Sequence, residues 1–226
     1  MSLLASNARV AGLFDDAAAS YEESSNPYTL GRRADTLAAL VQGRSLELGG
    51  GTAAVTSRLA DRSRAIHSDI APAMCRIAHS KVGCPSVCFD AQWIPIADAS
   101  IDTAIASEMI YYLSEPERFV REAYRVLRPG GKLLMSTTNP AAAILDRGRA
   151  CLRRLGFRGM FFDDGSPRFL RLRDVKDMLQ HAGFVVERTW NILPLPFAAL
   201  DRLNRLLERT PIARWGLFMM IAARKP

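Results

Sequence analysis

The chain has 226 residues, 49% of them hydrophobic and 23% charged, which is enough for one full α/β domain and too little for two. No apolar run reaches the ~18–20 residues of a membrane span. The first ten residues lack the basic start and long apolar core of a secretory signal, and Cys75, Cys84, Cys88 and Cys151 pair with no histidine at metal-ligand spacing, so a cytoplasmic protein with reduced thiols and no metal is expected.

The charge is uneven. Residues 1–140 carry 14 Lys and Arg against 15 Asp and Glu, while residues 141–226 carry 16 against 8, for a net charge of +7. A basic surplus of this kind suits an anionic substrate, a membrane surface or nucleic acid, and equally a solvated arginine-rich surface.

Residues 1–43 read as helical. Phe14, Ala18 and Tyr21 are spaced for one helix face, Asn26-Pro27 breaks the segment, and a second helix is predicted over Tyr28–Val41. Arg44-Ser-Leu-Glu-Leu-Gly-Gly-Gly-Thr52 follows. It reads as a buried strand, a tight glycine turn and the start of a helix running from Thr52 to Asp61. Glycines let the backbone take positive φ and approach a ligand, and the free N–H groups of a helix start favour a negative group. Glu47 falls at the carboxyl end of the strand, where open α/β sheets bind ligands. The spacing Gly49-x-Gly51-x-x-Ala54 meets the loose dinucleotide fingerprint, and an ordinary strand–turn–helix junction also satisfies it.

A second strand is predicted over Arg64–Asp69, closed by an acid. A carboxylate there accepts from both hydroxyls of a ribose diol. His67, inside this strand, reads as a core histidine, and Pro72 suits the first turn of the next helix. Pro85–Asp90 is strand three, again ending in an acid. A loop over Asp90–Asp98 leads to strand four, Ile101–Ser107. The helix Glu115–Leu127 turns Phe119, Val120, Ala123, Val126 and Leu127 inward, and Arg128-Pro-Gly-Gly131 stops it. Lys132–Thr138 is strand five.

Beyond it come a helix over Leu170–Ala182 ended by Gly183, a strand over Phe184–Trp190, and the breaker Pro194-Leu-Pro196. An amphipathic helix over Phe197–Arg209 follows, with Phe197, Leu200, Leu203 and Leu207 in one stripe, and then a last strand over Leu217–Ala223. Strands alternating with helices give an α/β fold with a doubly wound, mostly parallel, seven-stranded Rossmann-like sheet, its last two strands an antiparallel edge pair.

Four motifs in this order resemble the class I S-adenosylmethionine-dependent methyltransferases, in particular the small-molecule, quinone-methyltransferase-like branch (methyltransferase type 11). They are Leu46-Glu-Leu-Gly-Gly-Gly-Thr52, Asp69-Ile-Ala-Pro-Ala-Met74, Phe89-Asp-Ala-Gln-Trp-Ile-Pro-Ile-Ala-Asp98 with Ser100-Ile-Asp-Thr103, and Arg125-Val-Leu-Arg-Pro-Gly-Gly-Lys132. The resemblance implies S-adenosylmethionine as cofactor, S-adenosylhomocysteine as product and no metal. It implies that Glu47 and the turn Gly49, Gly50, Gly51 and Thr52 face the amino-acid part of the cofactor. Asp69 would hold the ribose, with Ile70 and Met74 beside the adenine, and Asp90 would accept from the adenine amino group, flanked by Ala91 and Gln92. Ser107 and Glu108 would close the methionine end, and Tyr21 and Arg33 would reach its carboxylate. Many relatives carry glycine where this chain has Ala53, a methyl group expected to be tolerated in a helical residue.

The same resemblance implies one domain, with residues 1–43 as a helical flap, 44–138 as the cofactor core and 139–226, including the stretch Arg147–Arg171, on the acceptor side. Met109, Tyr111 and Tyr112 are expected to line the acceptor pocket. Glu108, Tyr111, Tyr112 and His181 are the candidate general bases, and a small molecule accepting on O, N or C is the expected substrate.

Three rivals stand beside this reading. A nucleic-acid methyltransferase suits the basic surplus, but Ser107-Glu-Met-Ile110 lacks the Asn/Asp-Pro-Pro-aromatic signature of enzymes that methylate base amines. A nicotinamide-dependent oxidoreductase explains the glycines but not Asp90, and no tyrosine has a lysine four residues on. A non-catalytic S-adenosylmethionine-binding protein is the third. For the Phe197–Arg209 helix, packing on the sheet edge, roofing the acceptor and lying on a membrane surface as a peripheral contact all suit its pattern.

Overall fold

A computed structural model describes residues 3–142 and 170–226 of the protein. In chain order its longer elements are α1 (Leu3–Ala17), α2 (Tyr21–Ser24), α3 (Pro27–Ala38), β1 (Ser45–Leu48), β2 (Ala65–Asp69), α4 (Pro72–Val82), β3 (Ser86–Cys88), β4 (Ile101–Ser107), α5 (Pro116–Val126), β5 (Leu127–Thr138), α6 (Leu172–His181), β6 (Val185–Ile192), α7 (Asp201–Leu207) and β7 (Phe218–Arg224). The strands form one seven-stranded sheet in the order β3-β2-β1-β4-β5-β7-β6. β1 to β5 pair in parallel, and β7 lies antiparallel between β5 and β6. The doubly wound sheet with its antiparallel edge is the one that the strand–helix alternation predicts.

β1 and the first six residues of β4 are buried, as expected of strands covered on both faces. Side chains alternate across the sheet. Ala104, Ala106, Leu133 and Met135 join Phe119, Val120, Val175 and Leu179 of α5 and α6 on one side. Ile105 and Leu134 meet Leu37 of α3 on the other. The strand order reverses between β1 and β4, which makes the carboxyl ends of these two strands the topological switch point.

Local chemistry explains several boundaries. The Asn26-Pro27 break is the N-cap of α3: the Asn26 side chain accepts from the Tyr28 and Thr29 N–H groups at 3.0 and 3.2 Å, and Pro27 occupies the first turn. α4 starts at Pro72 and ends on Gly83 at φ 70°, a left-handed C-cap.

Two expectations are corrected. Residues 52–61 form turns and a single 3-10 turn at Thr56–Arg58, not a helix. The Glu47 carboxylate takes the Val55 and Thr56 N–H groups at 3.0 and 2.8 Å, which a helix would have spent on its own carbonyls. Ala53 is accordingly not helical but sits at φ 61°, where a Cβ is crowded. The predicted helix over Phe197–Arg209 is shorter, a 3-10 turn at Ala198–Leu200 followed by α7, and its apolar stripe does not pack on the sheet. Phe197, Leu200 and Leu203 are exposed, because Asn204 is the side chain turned inward. Asp146, Cys151 and residues 147–169 of the Arg147–Arg171 stretch lie outside the described residues. Among the described residues no helix is long and apolar enough to cross a membrane.

Candidate active site

At the carboxyl ends of β1, β2 and β4 lies a cavity of about 200 Å³, covered by α1 and α3. The glycine turn forms one wall. Gly49 and Gly51 stand at φ 58° and 56°, and a Cβ on Gly49 would come within 2.9 Å of the Met109 Cβ. Next to the turn, Asp69 ends β2. Its carboxylate accepts from the Gly51 N–H at 2.8 Å and from the Ala71 N–H at 2.9 Å, which fixes it at the cavity wall with lone pairs left on both oxygens. Burial, with Asp15 nearby, pushes this carboxyl above the usual range, against the pull of its backbone donors. Ile70 lines the wall beside it.

Asp90, Ala91 and Gln92 form the next part of the wall. Gln92 folds back on Asp90, donating from its backbone N–H at 2.9 Å and from its Nε2 at 3.0 and 3.1 Å. Asn7 of α1 donates to Asp90 Oδ2 at 2.6 Å. The N-terminal helix is thus tied to the acid that the sequence marks for an adenine amino group.

At the far end, Arg33 of α3 donates from Nε to Ser107 Oγ at 2.9 Å and lies 4.8 Å over the Phe218 ring. Its guanidinium is the positive group of the cavity wall. Glu108 follows β4 at φ 57°, a conformation that carries strain in a non-glycine residue and concentrates at functional sites. Its Oε2 accepts from Thr138 Oγ1 at 2.7 Å and from the Tyr111 hydroxyl at 3.2 Å. Its Oε1 is buried with no hydrogen-bond partner among the described residues. Burial, reinforced by the Glu108 charge, pushes the Tyr111 phenol well above its usual pKa, so Tyr111 stays a neutral donor to the carboxylate.

Of the residues marked from sequence, Tyr21, Arg33, Gly49, Gly51, Asp69, Ile70, Asp90, Ala91, Gln92, Ser107, Glu108, Met109, Tyr111 and Tyr112 all line this one cavity. Five do not reach its wall. Glu47 points into the protein behind the turn, where burial raises its carboxyl and the Thr56 and Val55 donors hold it. Gly50 backs onto the His67 ring and the Glu47 carboxyl, 2.7 and 2.8 Å from where its Cβ would be. Thr52 donates to Glu22 at 2.7 Å. Met74 is fully buried among Ala18 and Ala71. His181 is exposed at the end of α6, bonded to the Asp177 carbonyl, and does not line the cavity.

Sequence reasoning missed Asn7, Val10, Thr138 and Phe218, which also line it. The last two had a signal. Thr138 ends β5 at the ligand side of the sheet, and the antiparallel β7 brings its first residue, Phe218, opposite Thr138. Among the described residues no cluster of His, Cys, Asp and Glu is placed to hold a metal ion.

Residues 46–135 match the sequence profile of a family described as a methyltransferase domain. A demethylmenaquinone methyltransferase from Beutenbergia cavernae is 35% identical over 56% of this chain and 57% of its own length. A malonyl-[acyl-carrier protein] O-methyltransferase from Laribacter hongkongensis is 28% identical over 78% of this chain and 63% of its own. The chain thus spans about three fifths of either relative. In fold, a crystal structure of a methyltransferase from Thermotoga maritima superposes with a TM-score of 0.67 at 20% identity, over 96% of this chain and 99% of that one. Residues 46–135 are thus a methyltransferase domain, and the chain is similar to S-adenosylmethionine-dependent methyltransferases.

Proposed function

We propose that this protein transfers a methyl group from S-adenosylmethionine to a small-molecule acceptor, in the cytoplasm, by in-line displacement. The observation that carries the reading is the cavity at the switch point, in which an adenine-type acid, a ribose-type acid, a glycine turn and an arginine follow one another in the order that the cofactor requires. The fit is good on the geometry. Asp69 has lone pairs free for a ribose diol, Gly49 and Gly51 leave the wall without a Cβ, and the Arg33 cation suits the carboxylate of an amino-acid part. Three free cysteines, Cys75, Cys84 and Cys88, agree with a reducing compartment. In this reading residues 44–138 are the cofactor core and residues 139–226 belong to the acceptor side.

When bound, the cofactor supplies a methyl group on a sulfonium, already activated for displacement. The chain's own residues orient and desolvate. Orientation alone can supply on the order of 7–11 kcal/mol of the barrier, so no strong dyad is required. Phe14, Met109, Tyr112 and Phe218 make the cavity partly apolar. In this reading Glu108, one of the candidate bases that line the cavity, meets the acceptor. Thr138 and Tyr111 fix one of its oxygens, and the other is left to accept the proton of an acceptor O–H or N–H as the methyl group arrives. Two relatives are named for demethylmenaquinone and for malonyl-[acyl-carrier protein], and an acceptor that is flat and apolar or carboxylic is in keeping with this cavity.

The test is binding and turnover together. S-adenosylmethionine at about 100 times its dissociation constant stabilises by roughly 2.7 kcal/mol, which for a chain of this size raises the thermal midpoint by about 5–11 °C. NAD should leave it unchanged. Homocysteine release coupled to product hydrolysis, screened across phenols, quinols, carboxylates and amines, identifies the acceptor. A shift with NAD and none with S-adenosylmethionine would overturn the proposal.

A further inference from the structure

The segment from Phe197 to Trp215 has the polarity of an ordinary surface helix reversed. Its inner side is polar. Asn204, fully buried, donates to the Tyr28 hydroxyl at 2.9 Å and to the Leu195 carbonyl at 2.7 Å, and accepts from the Leu195 N–H at 2.9 Å. Asp201 accepts from the Tyr28 hydroxyl at 3.0 Å, and Glu208 accepts from Arg32 at 2.8 Å. Its outer side is apolar. Phe197 is 53% exposed, Leu203 41%, Leu206 61%, Ile212 48% and Trp215 44%. Five large apolar side chains exposed within nineteen residues, on a segment whose inner side is polar, suit a binding surface better than a solvated one.

The charges point the same way. Both acids of the segment, Asp201 and Glu208, are engaged by Arg32. Arg202, Arg205, Arg209 and Arg214 are exposed around the apolar residues. Of these only Arg205 has an acid partner among the described residues, Asp201 at 2.8 Å. The outward field is therefore positive around a wet-facing apolar centre.

We propose that this surface docks the protein on an anionic lipid membrane. Aliphatic and aromatic side chains enter the headgroup region while arginines meet lipid phosphates, the arrangement of an interfacial amphipathic element. Charge decides against the other occupants. A second copy would bring arginines against arginines. Nucleic acid complements the charge but gives Leu203, Leu206 and Ile212 nothing to bury against. The inference is independent of methyl transfer. It concerns a surface and not the cavity, although α7 packs on α3, which carries Arg33.

The test is cosedimentation of the full chain with vesicles of phosphatidylcholine alone and of phosphatidylcholine with phosphatidylglycerol. The protein should pellet with the anionic vesicles at low salt, do so less as salt screens the arginines, and stay in the supernatant with neutral vesicles. Each basic residue near an anionic surface is worth about fivefold in partitioning, so Arg202→Glu with Arg209→Glu should cut binding at least about 25-fold. Leu203→Gln with Leu206→Gln should abolish it with the charge of the surface unchanged. Both pairs are exposed, and circular dichroism checks that the fold is kept.

Because the whole chain is basic, the control is Arg62→Glu with Arg121→Glu, two exposed arginines elsewhere, which should keep most of the binding. Failure to bind anionic vesicles, an equal loss in the control, or binding insensitive to both surface pairs would overturn the inference. Capture by an acidic protein without vesicle binding would overturn it as well.

Discussion

Asp69 does two jobs with one carboxylate, and its replacement separates them. It holds the Gly51 and Ala71 N–H groups and, in the proposed reading, the ribose. Asp69→Ala should weaken S-adenosylmethionine binding by roughly 1.5–3 kcal/mol, about 10- to 150-fold. Calorimetry measures the loss, and unchanged affinity with the fold intact would place the pocket elsewhere.

Glu108 differs in kind. Its Oε2 is anchored and its Oε1 is not, so Glu108→Gln keeps the shape and removes the base. If the acceptor carries an O–H or N–H, kcat should fall by about 10²–10⁴-fold while cofactor affinity stays as it was. A variant that loses cofactor affinity and keeps kcat would remove Glu108 from the proton path.

His67 makes the third residue-scale prediction. Burial holds its pKa at about 4, below the usual 6.5, so the folded protein binds fewer protons here than the unfolded chain between these values. The stability contributed is complete above pH 6.5 and is lost as pH falls toward 4. Between pH 6.5 and 5 this loss is about 1.5 kcal/mol, since the slope reaches 1.36 kcal/mol per pH unit only once the unfolded imidazole is fully protonated. Urea unfolding of the wild type and of His67→Gln at both pH values measures it, because the variant lacks this part of the slope. Equal slopes would show that the imidazole does not titrate with folding.

The glycine turn shows how elements decide what single residues can do. Three glycines in a row look alike in sequence, yet they serve different sides. Gly49 and Gly51 face the cavity at positive φ, whereas Gly50 faces inward against His67 and Glu47. Gly49→Val and Gly51→Val should abolish cofactor binding, since a β-branched residue tolerates neither positive φ nor close approach. Wild-type affinity in Gly51→Val would reduce the turn to a connection.

The sheet was legible because buried strands announce themselves as apolar runs closed by acids and glycines, and Asp69 and Asp90 mark strand ends directly. What could not be read was the direction in which Glu47 points. A strand-end acid looks the same whether it faces a ligand or two backbone N–H groups, and only the path of residues 52–59 tells them apart. The Phe197–Arg209 segment misled for a similar reason. Its stripe is amphipathic in either orientation, and the inward choice was made by Tyr28 and Arg32, more than 160 residues away in sequence, through Asn204, Asp201 and Glu208.

At the scale of the molecule, the cavity is a property of two parts that meet. The sheet supplies the acids and the turn, and the N-terminal helices supply the cover. Among the described side chains, α1 meets the rest of the fold through Asn7 with Asp90 and Ser114, Asp15 with the Ala73 N–H at 2.6 Å, and Phe14 against Tyr112 and Tyr21. The sheet, by contrast, rests on the clusters around Phe119 and Ile105, to which the described side chains of α1 add nothing. Removing residues 1–17 should therefore spare the fold while opening the cavity. The thermal midpoint without ligand should change little, because few buried apolar contacts are lost. S-adenosylmethionine affinity should drop by about tenfold or more, the scale of one or two lost hydrogen bonds and an unshielded carboxylate at Asp90. The loss should fall mainly on the dissociation rate, since a cover slows escape more than arrival. Stopped-flow fluorescence with scanning calorimetry separates these outcomes. A truncated protein that binds with unchanged rates would make α1 a bystander, and one that unfolds would make it part of the core.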